Sequence, residues 1–382
     1  MSDATMNDVE IVTTSLRLAE VIAGASRRPR VALDIEGNGF HRYPERICLF
    51  QLAVDGSVFL IDQTAALDTG PLGELLGDAL VEKVLHSADY DIRSLDRDLG
   101  YRIRNLFDTS IAAAFLGSTS LGLATVLQEY LGVKVLKSKK QQRADWTNRP
   151  LTPEAQHYAS EDVRHLERVR DVLAQRLRGL SRLEWVTEEC ERLVQVKYKP
   201  PDHEWAFASL KGNRTLDGRG LAILRSLYHF RHREAVRLDR PPFKIIPDAV
   251  LVALASGPST DLANVKGLGR YREPPASGRL LSAIRDGLRA GPVTRPKSTT
   301  QSNWHGVAEV QQLRTRLLNL KEWRADLGRR LALHPGLLWP AASLERLAAS
   351  PESLDEELGS PDVRRWQRRE FGISLRSFFA TL

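Results

Sequence analysis

The sequence predicts a multidomain protein in which an α/β domain precedes two all-α regions. Three observations lead to this expectation. The chain has 382 residues, which is more than a single hydrophobic core usually organises. Strand-like runs occur between about residues 31 and 86, and helical periodicity dominates the chain after them. Two proline-containing stretches, residues 198–205 and 291–303, then interrupt the helical pattern and have the composition of linkers.

Charge and cysteine content narrow the class of protein. The formal net charge is +7 and the pI is near 9.5, which favours an acidic partner such as nucleic acid. Cys48 and Cys190 are too few for a disulfide framework or a Cys-based zinc site. Residues 1–10 lack a signal-peptide pattern, and no segment approaches the roughly 20 apolar residues that span a bilayer. We therefore expect a cytoplasmic protein without membrane contact.

Four runs in the first part of the chain have the length and composition of strands. They are VALDI (31–35), ICLFQLAV (47–54), SVFLID (57–62) and KVLHS (83–87). Asp55 and Gly56, between the second run and the third, are typical of a hairpin turn. The sheet is therefore expected to be mixed and to contain antiparallel strands. Helical periodicity follows from about residue 90 to 197, broken by a basic loop at residues 137–150.

Acidic residues stand at several element ends. Asp34 and Glu36 are two residues apart on a strand, so their side chains share a face and repel one another. Either the strand ends there in solvent or a cation holds the two carboxylates together. Asp91 follows the last predicted strand, and Tyr158 and Asp162 share one face of a helix. Hard oxygen ligands from several elements are what two Mg²⁺ ions need to act on a phosphodiester.

Three segments carry a resemblance to a known family. LDIEGNGF (33–40), LHSADYDI (85–92) and YASEDV (158–163) resemble the three motifs of the DEDDy 3′–5′ exonucleases, and the text between them is similar to ribonuclease D. The resemblance extends over about residues 10–195. It implies an α/β ribonuclease H-like exonuclease domain, with a mixed five-stranded sheet surrounded by helices.

The resemblance also implies roles for the candidate residues. Asp34, Glu36, Asp91 and Asp162 would be ligands of two divalent metal ions, Mg²⁺ or Mn²⁺, and all four would be catalytic together with Tyr158. The tyrosine would position the attacking water and help to remove its proton. The products would be nucleoside 5′-monophosphates. The partner would be RNA, such as a tRNA precursor with a free 3′ end.

Other residues near these motifs have structural interpretations. We expect His86 to be a hydrogen-bonded structural histidine rather than a ligand. Asp89 could share a face with Asp91, but the family spacing selects Asp91. Asp108 precedes a predicted helix, where an N-cap role is expected. Ile35 and Gly37 occupy positions where ribonuclease D proteins commonly carry Thr and a bulky residue, a difference that concerns how the terminal nucleotide is held.

The basic loop before the third motif contains candidate phosphate contacts. Gln142, Arg143 and Arg149 are assigned this role, with a solvated loop as the alternative. Asp145 and Trp146 in the same loop are interpreted as an anchoring acid and a packed indole.

The C-terminal part of the chain has its own resemblance. Residues 205–290 contain fifteen Lys and Arg against seven Asp and Glu, a balance of +8. Their sequence resembles the HRDC domain, and residues 304–382 look like a diverged second copy. In that second copy Arg364, Arg365 and Trp366 are the candidate nucleic-acid contacts, because arginine binds phosphate and tryptophan stacks on bases.

The resulting hypothesis is a divalent-metal-dependent 3′–5′ exoribonuclease that trims structured RNA such as tRNA 3′ ends. Residues 1–200 would form the exonuclease domain, 205–290 an HRDC domain and 304–382 a second, diverged HRDC-like domain. One alternative keeps the fold and takes DNA as the substrate. The other alternative is a non-catalytic RNA-binding scaffold.

Overall fold

The structure is a computed structural model that describes residues 9–135, 138–258, 261–295 and 307–380. The N-terminal residues 1–8 and most of the predicted second linker lie outside these ranges. Within the described residues, every helix is too short or too polar to cross a membrane.

The first part of the chain is built on one mixed sheet. Its strands are β1 (Val9–Val12), β2 (Arg30–Gly37), β3 (Ile47–Val54), β4 (Ser57–Asp62), β5 (Glu82–Leu85) and β6 (Leu106–Asp108). They lie in the order β1-β4-β3-β2-β5-β6. The two strand pairs that involve β3 are antiparallel, and the other pairs are parallel. The sheet is mixed as expected, but the predicted number of five strands was wrong.

The sixth strand is β1, which pairs in parallel with β4 at the edge of the sheet. It has only four residues, VEIV, one of them acidic, so it carries little periodicity of its own. The predicted hairpin between β3 and β4 is confirmed, and Asp55 and Gly56 both have positive φ (52° and 84°). Paired positive φ values are those of the tight turn that matches the strand twist.

In the described residues of this part, eight helices surround the sheet. They are α1 (Ser15–Ala25), α2 (Gly70–Gly77), α3 (Asp89–Leu99), α4 (Thr109–Phe115), α5 (Leu123–Leu131), α6 (Pro153–Arg164), α7 (Leu166–Gly179) and α8 (Leu183–Leu193). Helix α6 packs against β2, β3 and β4. Thr152 caps its N-terminus by accepting a hydrogen bond from the Ala155 N–H, and Pro153 at its first position has no N–H to satisfy. The start of α6 is therefore fixed above the middle strands of the sheet.

The middle part of the chain forms a separate helical unit. Its helices are α9 (Gly218–Leu238), α10 (Pro242–Ile245), α11 (Asp248–Ser256) and α12 (Ala276–Arg289). These helices enclose a hydrophobic core that is distinct from the core around the sheet. The unit meets the first domain through the loop of residues 38–46, which follows β2. Asp239, at the end of α9, accepts hydrogen bonds from the Tyr43 N–H (3.0 Å) and the Arg42 guanidinium (3.1 Å).

The last part of the chain is also helical but packs differently. Its helices are α13 (Val307–Leu331), α14 (Pro335–Leu338), α15 (Ala341–Ala349), α16 (Leu354–Gly359) and α17 (Arg365–Ala380). Their apolar side chains join the core of the first domain. The Trp366 ring stacks on Trp185 of α8, with centroids 4.6 Å apart, and meets Phe115 edge to face. The C-terminal helices therefore complete the first domain and do not form an independent core.

Candidate active site

Carboxylates from three separate elements converge at one end of the sheet. Asp34 and Glu36 lie two residues apart on β2, and Asp162 is on the last turns of α6. One oxygen from each of these three carboxylates lies within 4.8 Å of the others. Asp91, in the first turn of α3, is buried. Its charge acts on both Asp34 and Glu36, which indicates that it lies beside the cluster. The structure thus brings together all four acids that the sequence indicated.

The electrostatics of the metal-free cluster are unfavourable for the ionised acids. Burial raises the pKa of Asp34 well above its usual value, and the charges of Asp91 and Asp162 raise it further. Burial and the same two neighbours also raise the pKa of Glu36. Burial raises the pKa of Asp91 to about 7. A cation among these groups would favour their ionised forms and relieve the repulsion.

A buried amide lies beside the cluster. Gln51 of β3 pairs directly with Asp34 of β2 and is 0% exposed. Among the described residues neither its Oε1 nor its Nε2 has a hydrogen-bond partner, and such a group costs about 1–3 kcal/mol. Clustered carboxylates and an unsatisfied amide fit an occupant that brings positive charge and hydrogen-bonding groups, as a hydrated divalent cation does. Sequence reasoning missed Gln51, although it is the one amide in an eight-residue apolar run.

Tyr158 stands beside the cluster, one helical turn before Asp162. Burial and then the charges of Asp162 and Glu36 raise its pKa above the ordinary value, so the phenol keeps its proton at neutral pH. Its hydroxyl hydrogen-bonds Asp162, and its ring lies 6.1 Å from that of Trp146, which is buried. The phenol is therefore held as a hydrogen-bond donor that faces the acids.

The hydrogen bonds around the start of α3 agree with the structural roles expected for His86 and Asp108. Both ring nitrogens of His86 have hydrogen-bond partners, the Thr109 hydroxyl and the Leu121 carbonyl, each at 2.8 Å. Asp108 caps α4 and also accepts from the Ala88 N–H at 2.8 Å, which fixes the chain just before α3. Asp89, in contrast, is exposed and pairs with Arg93. The structural roles expected for His86 and Asp108 are confirmed.

One cavity adjoins the acid cluster, and a second lies next to the first. One of about 790 Å³ is lined by Tyr158 and Asp162, and its rim includes Gln142. A second, of about 580 Å³, is lined by His41 and Arg143. Both include Lys140, Gln141 and Glu154 in their walls. A groove therefore leads from the acid cluster along the basic loop.

Arg149 does not fit the predicted phosphate contact. Its guanidinium holds both carboxylate oxygens of Asp62 at 2.5 Å and also donates to the carbonyls of Trp146 and Cys48. The arginine therefore ties the basic loop to the ends of β3 and β4, and its donors are already used. Gln142 and Arg143 are exposed at the groove, where contact with a ligand is sterically open.

The nucleic-acid role predicted for the segment RRWQRR (364–369), which contains Arg364, Arg365 and Trp366, is corrected by the structure. Trp366 is 1% exposed, so its ring is not accessible to a base. Arg364 forms a two-pronged ion pair with Glu189 (2.9 and 3.2 Å), and Arg365 is exposed but paired with Glu191 at 2.7 Å. The segment instead anchors α17 to α8.

Comparisons with known proteins match this architecture. A 3′-5′ exonuclease family matches residues 9–178, and the HRDC domain family matches residues 220–274. A ribonuclease D from Gluconacetobacter diazotrophicus is 30% identical over 379 residues, which cover 97% of this chain and 93% of that protein. A ribonuclease D from Xanthomonas oryzae is 32% identical over 326 residues, which cover 85% of this chain and 87% of that protein.

Solved exoribonuclease structures are also similar to this chain. The catalytic core of RRP6 from Trypanosoma brucei is 27% identical, with a TM-score of 0.64 over 73% of this chain and 79% of that chain. Escherichia coli RNase D is 23% identical, with a TM-score of 0.69 over 97% and 98% of the two chains, and shares the fold. The chain has an exonuclease domain and an HRDC domain, and its ribonuclease D relatives match it over nearly the whole length. It therefore belongs to the ribonuclease D family of 3′–5′ exoribonucleases.

Proposed function

We propose that the four acids bind two divalent metal ions, Mg²⁺ or Mn²⁺, and that the protein removes nucleoside 5′-monophosphates one at a time from RNA 3′ ends. The observation that carries this proposal is the convergence of Asp34, Glu36 and Asp162, with Asp91 beside them, in an exonuclease fold. When bound, the ions would supply an activated water and would stabilise the leaving 3′ oxygen. Oxygen-only ligands are those that Mg²⁺ and Mn²⁺ prefer.

Tyr158 would orient the attacking water. Its phenol is protonated and already donates toward the acids, so it can donate equally to a water held among them. The ring stays in place because it packs beside Trp146. The tyrosine would therefore contribute position rather than charge.

The test is release of mononucleotides from 3′-labelled RNA and DNA, with Mg²⁺ or with EDTA. Asp162→Asn should abolish release, while Glu161→Gln, a change at the adjacent acid on α6, should largely retain it because Glu161 pairs with His165 and Arg164 rather than with the cluster. Release in EDTA, or near-normal release by Asp162→Asn, would refute the assignment. Preferential release from DNA would favour the DNA-exonuclease alternative.

Tyr158→Phe separates the role of the phenol from that of the acids. We expect kcat to fall by roughly two orders of magnitude, the low end of the range for groups that take part in proton transfer, while the thermal stabilisation by Mg²⁺ is retained. A loss of Mg²⁺ stabilisation as large as that of Asp162→Asn would show that the hydroxyl supports the metal site instead.

The natural substrates we propose are structured RNAs with free 3′ ends, such as tRNA precursors. The middle helical unit, which contains the HRDC match and is called the HRDC unit from here on, would hold the RNA body. The charge balance of +8 over residues 205–290 supports this role. Replacing these residues by a flexible linker should make RNA binding less salt-dependent and should impair a tRNA precursor more than a short oligonucleotide. Equal salt slopes for both proteins would leave this unit a spacer.

We also propose the division into residues 1–200, 205–290 and 304–382, with the last part a diverged second HRDC copy. The helix order supports it. Helices α10 and α14 each have four residues and begin with proline, Pro242 and Pro335, and α11 and α15 each have nine residues and follow Pro247 and Pro340. In both units a long helix precedes this pair. The second copy has exchanged its independent core for contact with the exonuclease domain.

A further inference from the structure

Exposed aromatic side chains are rare in this protein, and two of them meet beside the groove. Of the aromatic residues that the structure describes, Phe40, Tyr90 and Phe243 are the exposed ones. Phe40 belongs to the loop that follows β2, and Phe243 lies in α10 of the HRDC unit. Their rings meet edge to face at 6.4 Å. Even in this contact they remain 49% and 51% exposed, so their outer faces are open to a ligand.

Cations that form no ion pair lie beside this pair and along the groove. The Arg143 guanidinium lies over the Phe40 ring, 6.0 Å from its centroid. Within the described ranges, neither Arg143 nor Lys140 forms an ion pair, and the same holds for Lys244, next to Phe243. Of the acids nearby, Asp145 and Asp239 are both paired with Arg42, and Glu154, in the walls of both cavities, interacts with the charge of Lys140. The pair of phenylalanines therefore lies in a locally positive surface.

The position of the pair follows from the loop that carries it. His41 Nε2 lies 2.7 Å from the Arg143 carbonyl oxygen, which joins this loop to the basic loop. Tyr43 continues the loop and hydrogen-bonds His232 of the HRDC unit at 2.9 Å. The cavity beside His41 and Arg143 shares wall residues with the cavity that contains Tyr158 and Asp162. A strand whose 3′ end reaches the acids would have this groove as a path.

We propose that Phe40 and Phe243, with Arg143, form a platform on which a base of single-stranded RNA stacks, on the 5′ side of the scissile linkage. This inference rests on the proposed function, because it assigns a path to the substrate of that reaction. Aromatic faces stack on any base, and unpaired arginines bind the backbone, so the platform would be tolerant of sequence. It would require an unpaired strand, because a base inside a duplex has no free face.

Binding is measured apart from turnover in the Asp162→Asn background with EDTA. The probe is a 12-nucleotide RNA that carries 2-aminopurine at one position, moved stepwise from the 3′ end. We expect a stacking-induced fluorescence change at one or two internal positions. Phe40→Ala and Phe243→Ala should each abolish that change and weaken binding of the 12-mer about tenfold. Phe40→Tyr should preserve both.

Two further variants separate stacking from simple domain contact. Phe243→Leu keeps an apolar contact with Phe40 but has no ring, so it should behave like Phe243→Ala. Leu288→Ala removes an exposed apolar side chain elsewhere on the same unit and should bind like the parent protein. Full affinity in Phe243→Leu, or unchanged affinity in both alanine variants, would overturn the proposal.

Turnover supplies the second readout. In the otherwise unchanged protein, Phe40→Ala should raise KM for the 12-mer about tenfold and leave kcat and the hydrolysis of a dinucleotide unchanged. An equal loss on dinucleotide and 12-mer would place Phe40 at the terminal nucleotide and refute an upstream platform. If the parent protein releases no mononucleotides but the platform variants still lose 12-mer binding, the proposed function fails and the platform stands.

Discussion

Replacing Asp91 by asparagine is expected to stabilise the metal-free protein, by an amount that grows with pH. Burial raises the pKa of this carboxyl from 3.8 to about 7 in the folded protein. Well below pH 4 the carboxyl is protonated in both the folded and the unfolded protein, so its burial costs no free energy of ionisation. Between pH 4 and pH 7 the unfolded chain ionises this carboxyl while the folded protein keeps it protonated, so stability falls steadily over this range and levels off above about pH 7. The penalty is roughly 2 kcal/mol at pH 5 and roughly 4 kcal/mol at pH 8.

Asparagine keeps the shape of the side chain and removes this penalty. The measurement is thermal unfolding of wild type and Asp91→Asn in EDTA between pH 5 and pH 8. For a domain of this size, the Tm difference should widen by roughly 5 °C over this range. Asp89→Asn is the matched control, since Asp89 lies on the same helix but is exposed and paired with Arg93. Its Tm difference should stay small and flat with pH.

Mg²⁺ should reverse the ranking. The ion stabilises wild type in proportion to its binding, and Asp91→Asn should lose most of that gain together with exonuclease activity. The reasoning is refuted if Asp91→Asn is less stable than wild type at pH 8 in EDTA. It is also refuted if the difference between the two proteins is the same at pH 5 and pH 8.

Three further substitutions test other parts of the structure. Gln51→Met removes an unsatisfied buried amide, so it should raise metal-free stability by about 1 kcal/mol and lower kcat. An unchanged kcat would show that Gln51 takes no part in catalysis. Gly37→Ala would place a Cβ 2.5 Å from the Tyr90 hydroxyl, so it should cost about 1–3 kcal/mol, and Tyr90→Phe should recover part of this cost in the double variant. Trp366→Ala should cost about 3–5 kcal/mol in denaturant unfolding without changing the RNA affinity of the folded protein, whereas a selective loss of RNA binding would restore its predicted contact role.

The positions of the acids were predictable because they depend on local geometry. The two-residue spacing of Asp34 and Glu36 places them on one strand face, and the four-residue spacing of Tyr158 and Asp162 places them on one helix face. Their convergence followed from the family resemblance, since no local rule brings α6 over β2. Even so, Gln51 was missed, because its importance arises from strand register, which pairs it with Asp34.

The arginine and tryptophan contacts were less predictable for a related reason. Arg149 and Trp366 stand in basic segments, where exposure is the usual expectation. In the structure, Arg149 is used by Asp62 of β4, and Trp366 is covered by Trp185 of α8. Both partners are distant in sequence, and burial depends on such partners rather than on neighbouring residues. Composition therefore indicated that nucleic acid binds this protein without indicating which cations remain free to bind it.

Two units with the same helix order contact the exonuclease domain in different ways. The C-terminal helices add Trp366 to the apolar side of α8 and share the core of the exonuclease domain, so we expect their removal to destabilise that domain. The HRDC unit keeps its own core and touches the domain through the loop after β2, the strand that carries Asp34 and Glu36. A unit docked on that loop can affect the path of the substrate without being needed for the fold of the domain. Similar helices thus share the core of the exonuclease domain in one unit and, in the other, contact the loop beside the proposed substrate groove.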